Sequence, residues 1–213
     1  MEFIDAKIEQ YAIRHSAAET ELLEKINRDT WAEVLMPRML SGPLQGRILA
    51  MFSKMIQPKV ILEIGTYTGY SAICLAEGLQ PQGKLITIDI NDELEKRVRG
   101  YFAQCPNPEK FDYRVGDALD IIPQINETID LVFIDADKVN YYAYYDLVFD
   151  KVARGGIIIA DNVLWSGKIL DPREKMDEDT LALSEFNRMV SKDERVDPLL
   201  LPVRDGLMVL RKK

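Results

Sequence analysis

Val60-Ile61-Leu62-Glu63-Ile64-Gly65-Thr66-Tyr67-Thr68-Gly69-Tyr70-Ser71 is the stretch on which the fold turns. An apolar, β-branched run passes through two glycines into a segment with helical spacing, which predicts a strand over 60–64 and a helix from Tyr70 to Leu79. Outward from it the same grammar repeats. Lys84 to Asp89, Phe111 to Val115, Ile129 to Ile134 and Gly156 to Ala160 read as strands, with helical segments such as Glu93 to Gln104 between them. These runs are apolar on both faces, as in a covered parallel sheet, and alternation of strand and helix predicts right-handed crossovers in a doubly wound sheet. Upstream, Phe3 to about Met55 is helical, with breaks at Pro37 and at Ser41-Gly42-Pro43. Downstream, Leu199 to Val203 and Leu207 to Leu210 flank Arg204-Asp205-Gly206, and Asp-Gly between apolar runs signals a hairpin. The expected architecture is α/β and Rossmann-like: a mostly parallel, seven-stranded sheet ending in an antiparallel hairpin. It is expected as one domain over 1–213, with 1–57 as its helical N-terminal part and 58–213 as the α/β core. The charged stretch Asp171 to Thr180 reads as a mobile loop.

Composition narrows the function. The chain has 213 residues, 47% hydrophobic and 29% charged, a balance that excludes disordered and fibrous classes. Its net charge of −8 opposes binding to nucleic acid or to an anionic membrane through a basic surface. Cys74 and Cys105 make neither a disulfide framework nor a zinc spacing. With no signal-peptide pattern at Met1 to Asp5 and no apolar run of about 18 residues, a cytoplasmic location is expected. His15 is the single histidine, which excludes a His-rich metal site; it is expected at an exposed helix end.

Three strand ends carry candidate chemistry. The first is the turn 63–71, where glycine permits close approach of a ligand to the backbone. Its G-x-x-x-G spacing matches neither the dinucleotide fingerprint nor the phosphate-binding loop, so a cofactor without a pyrophosphate is expected. Asp89, ending the second strand, is placed to accept hydrogen bonds from a ribose diol. The other two are Phe133-Ile134-Asp135-Ala136-Asp137-Lys138 and Ala160-Asp161-Asn162-Val163-Leu164-Trp165. In a doubly wound sheet these ends are neighbours, so Asp135, Asp161 and Asn162 can converge on one hard cation, Mg²⁺ before Ca²⁺ or Mn²⁺. A cation beside a partly desolvated lysine favours its neutral form, which makes Lys138 a candidate general base. Tyr141, Tyr142, Tyr144 and Tyr145 read as packing residues against the sheet or a partner subunit.

Together, EIGTYTGYS, TIDIN, FIDADK and ADNVLW resemble the cation-dependent O-methyltransferases, the group of the catechol and caffeoyl-CoA enzymes and their bacterial relatives. The resemblance implies S-adenosylmethionine as cofactor, with Asp89 on its ribose, Ile90 beside its adenine, and Asp117 with Ala118 near the adenine amino group. It further implies Glu63, Gly65, Tyr67 and Ser71 along the methionine part, with Met39 and Ser41 closing over it. Asp135, Asp161 and Asn162 match the metal ligands, Asp135 serving cofactor, metal and catalysis together. Lys138 matches the catalytic lysine, and Trp165 the substrate wall. The implied reaction methylates one hydroxyl of a small aromatic vicinal diol, in a homodimer with no nucleic-acid or membrane partner. Pro37 and Asp137 stand where the catechol enzyme has aromatic gatekeepers, and its acidic substrate-binding residue falls near Leu199. Whether a coenzyme A thioester is the acceptor stays open, with Arg28, Arg38 and Arg47 as local basic patches. A dinucleotide-dependent oxidoreductase and a non-catalytic S-adenosylmethionine-binding protein are the competing readings; the first leaves Asp135, Asp161 and Asn162 without a task.

Overall fold

β-Branched and apolar runs that cannot stay in water build the centre of the molecule. In the computed structural model, which describes residues 4–213, seven strands form one sheet in the order β3-β2-β1-β4-β5-β7-β6. They are β1 (Val60–Ile64), β2 (Lys84–Asp89), β3 (Phe111–Val115), β4 (Ile129–Ile134), β5 (Val152–Ala160), β6 (Val196–Leu201) and β7 (Leu207–Lys212). The pairs β1–β2, β1–β4, β2–β3 and β4–β5 are parallel, whereas β7 runs antiparallel to both β5 and β6. Strand order reverses at β1, so the carboxyl ends of β1 and β4 open a crevice on one edge, where ligands of such sheets bind.

Helices cover both faces: α1 (Ala6–Arg14), α2 (Glu21–Glu33), α3 (Gly42–Ile56), α4 (Tyr70–Ala76), α5 (Glu95–Phe102), α6 (Ala118–Ile121), α7 (Tyr141–Phe149) and α8 (Glu178–Val190). Pro37 opens a 3-10 turn, Pro37–Met39, and Gly42-Pro43 opens α3, so both breaks read in the sequence are helix starts. Leu23, Ile26 and Leu49 share one buried cluster with Ile61, Tyr70 and Phe133. The N-terminal helices therefore pack into the same core as one face of the sheet. Tyr141, Tyr144, Tyr145 and Phe186 fill the other face.

Several boundaries differ from the sequence reading: α4 stops at Ala76 rather than Leu79, α5 is Glu95–Phe102 rather than 93–104, β6 is Val196–Leu201 rather than 199–203, and β7 runs on to Lys212. β5 begins at Val152 rather than Gly156, because Val152 pairs with Ile129 before the register shifts and Ile157 pairs with Leu131. A bulge absorbs Gly155, at φ +82°. The β6–β7 connection runs from Pro202 to Gly206, with Gly206 N donating to Val203 O at 2.9 Å, so Asp205-Gly206 closes a longer loop rather than a two-residue turn. The stretch 171–180, read as a mobile loop, holds a 3-10 turn at Arg173–Lys175, and Asp177 already caps α8 through Thr180 N at 2.9 Å. His15 is exposed at the C-cap of α1, as expected. Both cysteines are free and buried, and burial pushes the Cys74 thiol up to about 12, out of reach of nucleophilic use. Among the described residues no helix is long and apolar enough to cross a membrane.

Candidate active site

The crevice at the strand ends is a cavity of about 1060 Å³. Typical small-molecule sites span about 300–1,000 Å³, so there is room for a cofactor and a second ligand. Its floor is the β1–α4 turn. Gly65 sits at φ +100°, and a Cβ there would lie 1.9 Å from Asp135 O, so only glycine lets β1 and β4 close up at this point. The turn aims Tyr67 N at Asp89, whose Oδ2 accepts it at 2.5 Å while Oδ1 accepts Asn91 N at 2.9 Å. With one lone pair on each oxygen engaged, the carboxylate keeps acceptor capacity for a diol. Gly65, Tyr67, Ser71, Asp89, Ile90, Asp117 and Ala118 all line the cavity. Met39 and Ser41 line it from the α2–α3 connection, Met39 exposed and Ser41 buried. Tyr67 Oη donates to Leu35 O at 3.1 Å, tying that connection to the floor.

Glu63 is placed differently from the expectation. It is fully buried behind the floor and does not line the cavity. Its Oε2 accepts the Thr87 hydroxyl at 2.5 Å and Oε1 has no partner. Burial pushes its carboxyl up to about 8, with the Asp135 and Asp89 charges acting in the same direction.

The ends of β4 and β5 bring the polar residues together as expected. Lys138, 8% exposed, places Nζ 2.8 Å from Asn162 Oδ1, 3.2 Å from Asp135 Oδ1 and 2.7 Å from Tyr141 Oη. Asp161 is buried; its Oδ2 accepts the Gln45 amide at 2.5 Å and its Oδ1 accepts Asn162 N at 2.6 Å. Burial, reinforced by the neighbouring Asp135 charge, pushes the Asp161 carboxyl above the ordinary range. Asn162 is held at φ +58°, an energetically costly backbone that turns its amide back toward Lys138. Among the described residues no three His, Cys, Asp or Glu side chains form a metal cluster. The candidate donor set is two carboxylates and one amide.

Trp165 walls the same cavity, at φ +47°, with Lys138 Nζ 5.7 Å from its ring centre. Asp137 is on the cavity, its carboxylate held by Asn140 Nδ2 at 2.6 Å and Tyr144 Oη at 2.5 Å. Leu199 lies exposed on the edge strand β6 and away from the cavity; the acidic residue that this end of the chain contributes is Asp205. Of the three arginines singled out, Arg38 lines the cavity, Arg47 pairs with Glu77 at 2.6 Å, and Arg28 faces Glu24 at 3.9 Å.

A profile of the O-methyltransferase family matches residues 13–213. The chain belongs to that family. Caffeoyl-CoA O-methyltransferase 2 of Eucalyptus globulus is 34% identical over 185 residues, covering 82% of this chain and 75% of the relative. The structure is similar to that of the O-methyltransferase TomG from Streptomyces achromogenes in complex with SAM, at TM-score 0.90 and 26% identity, covering 97% of this chain and 96% of that one. It is similar also to the O-methyltransferase from Bacillus cereus in complex with SAH, at TM-score 0.89 and 28% identity over 97% of each chain. Family membership makes this chain a methyltransferase and removes the oxidoreductase reading. Two residues of this O-methyltransferase's site escaped the sequence reading. Tyr141, taken for packing, follows Lys138 by three residues and so shares its helical face. Gln45 reaches Asp161 across 116 positions, with no local signal to announce it.

Proposed function

We propose that this O-methyltransferase moves a methyl group from S-adenosylmethionine to one hydroxyl of a vicinal aromatic diol held on a divalent cation. The donor is S-adenosylmethionine: the cavity floor offers Asp89 to a ribose, and the similar TomG and Bacillus cereus structures carry SAM and SAH. The observation that supports the acceptor reading is the meeting of Asp135, Asp161, Asn162 and Lys138 in the cavity that Gly65 and Asp89 also line. Their oxygens fit a hard cation on this chain's own geometry. Asp135 and Asn162 already share one positive charge, the Lys138 ammonium, and among the described residues neither His nor Cys lines the cavity.

Such a cation lowers the pKa of a hydroxyl that it binds and fixes the diol's orientation. Lys138, held toward the cavity by Tyr141, would in its neutral amine form take the proton of the reacting hydroxyl, its own ammonium proton having first left to solvent. Trp165 supplies a flat apolar wall against which an aromatic ring stacks. At the donor end Tyr67, Met39 and Ser41 exclude water, and the positioning they give carries much of the rate. Ile8 and Tyr11 on α1, with Met51 and Met55 on α3, leave apolar surface exposed for a homodimer. A light-scattering mass near that of a single 24.4 kDa chain would remove the dimer from this reading.

The test is S-adenosylhomocysteine formation by the purified chain with catechols, caffeate, caffeoyl-CoA and flavonoid diols, in Mg²⁺ and in excess EDTA. Turnover confined to metal and vicinal diols supports the reading. Equal turnover in EDTA, or with isolated phenols, overturns the cation and diol parts.

A further inference from the structure

Lys138 serves above as a base, yet its contacts give it a second part. An ammonium carries three N–H donors, and Lys138 Nζ meets three oxygens, Tyr141 Oη, Asn162 Oδ1 and Asp135 Oδ1. With the side chain this buried, a lost partner is not readily replaced by water. Two of the three acceptors belong to the proposed cation ligands. The third does not, and it is fixed independently: Tyr141 is fully buried, packs edge-on against Phe186 at 5.6 Å, and donates to Asp161 O at 2.9 Å.

We infer that the Lys138 ammonium competes with the divalent cation for the oxygens of Asp135 and Asn162. Tyr141 keeps hold of Nζ when the cation takes them. The lysine then sets how tightly the cation binds, and a change of partner at Nζ accompanies metal binding. Asp161 stays outside the competition, because the partners of Lys138 Nζ are Asp135, Asn162 and Tyr141 and not the Asp161 carboxylate. This inference rests on the cation reading of the previous section.

It makes an unusual demand: deleting a residue of the catalytic machinery must strengthen metal binding. Mn²⁺ affinity is measured by calorimetry and by electron paramagnetic resonance on the full chain, for wild type, Lys138→Met and Lys138→Gln. At contact range an ammonium repels a divalent ion appreciably even in a strongly screening surround, so affinity should rise by about 10-fold or more in both variants. Lys168→Met is the control. Its ammonium lies 5.9 Å from the Trp165 ring centre, pairs with Asp177 and touches neither ligand, so its loss should change the affinity by less than about 2-fold. Unchanged S-adenosylmethionine affinity reports that the Lys138 variants are folded. Unchanged or weaker Mn²⁺ binding in both Lys138 variants, or equal tightening in Lys168→Met, overturns the competition. A wild-type chain that takes up no Mn²⁺ removes the cation reading and this inference with it.

Discussion

Glu63 gives the structure a stability that should fall as the solution becomes more alkaline. In the folded chain it holds its proton up to about pH 8, because burial penalises the carboxylate; in the unfolded chain it releases the proton near 4.5. Below pH 4.5 both states are protonated and the stability is whole. As pH rises from there to 8, only the unfolded state ionises, so the folded state loses ground at up to about 1.4 kcal/mol per pH unit. Between pH 5 and pH 8 that is at most ~4 kcal/mol, or roughly 8–16 °C in Tm for a domain of this size. Carboxylates lowered by their partners, such as Asp177 at about 2, have finished titrating below this window. Asp161, also raised, contributes with the same sign. Glu63→Gln keeps the shape and removes the proton. Thermal unfolding is followed at pH 5, 6, 7 and 8 in EDTA without cofactor, and the Tm of wild type should decline across the series. The variant's decline should be less than half as steep. A wild-type Tm that is flat or rises over this range, or a variant whose curve runs parallel to it, would refute the reading of Glu63 as a buried acid.

Asp161→Ala should abolish Mg²⁺-dependent turnover while S-adenosylmethionine binding measured by calorimetry survives, since Asp161 stands at the β5 end and Asp89 at the β2 end of the cavity. Gln45→Met removes the donor that orients Asp161 Oδ2; loss of such a supporting contact typically weakens metal affinity by about 10–100-fold, and Mn²⁺ titration will show whether it does. Gly65→Ala should yield insoluble or cofactor-free protein, because its Cβ would lie 1.9 Å from a backbone oxygen at a φ of +100°. Recovery of a soluble variant with wild-type S-adenosylmethionine affinity would contradict the packing of β1 on β4.

Most of the fold was legible because its signals are local. Each parallel strand is a short apolar run bounded by polar or glycine residues, and β3 and β4 occupy the residues read from the sequence, Phe111–Val115 and Ile129–Ile134. What escaped depends on pairing. The start of β5 is set by a bulge opposite Ile129, which nothing in Val152-Ala153-Arg154 announces, and the strand was read only from Gly156 onward. The hairpin loop is longer than Asp-Gly implies because Gly206 is pressed against Leu164, where a Cβ would come within 2.5 Å of Cγ, so tertiary contact and not turn chemistry fixes its length.

The site divides along the same line, with a different consequence. Asp89, Asp135, Lys138, Asp161 and Asn162 were legible because parallel topology delivers consecutive strand ends to one edge, so a carboxylate just after a strand has few other places to go. Glu63 shows where that rule stops. One residue before the strand's last position, it points to the covered face opposite Leu62 and Ile64, and its buried carboxylate stands behind the floor on which Tyr67 and Asp89 meet. Gln45 and Tyr141 lie beyond the rule altogether, since neither follows a strand. One comes from α3 and the other from α7, and they clasp Asp161 and Lys138 from opposite sides of the sheet edge. On the proposed function the strand ends would supply the reacting and ligating atoms, while helices from distant parts of the chain hold their side chains through Gln45 and Tyr141. If that division holds, substitutions at Gln45 and Tyr141 should alter metal affinity and turnover without touching the donor site, and this is the behaviour a strand-end motif alone would not foretell.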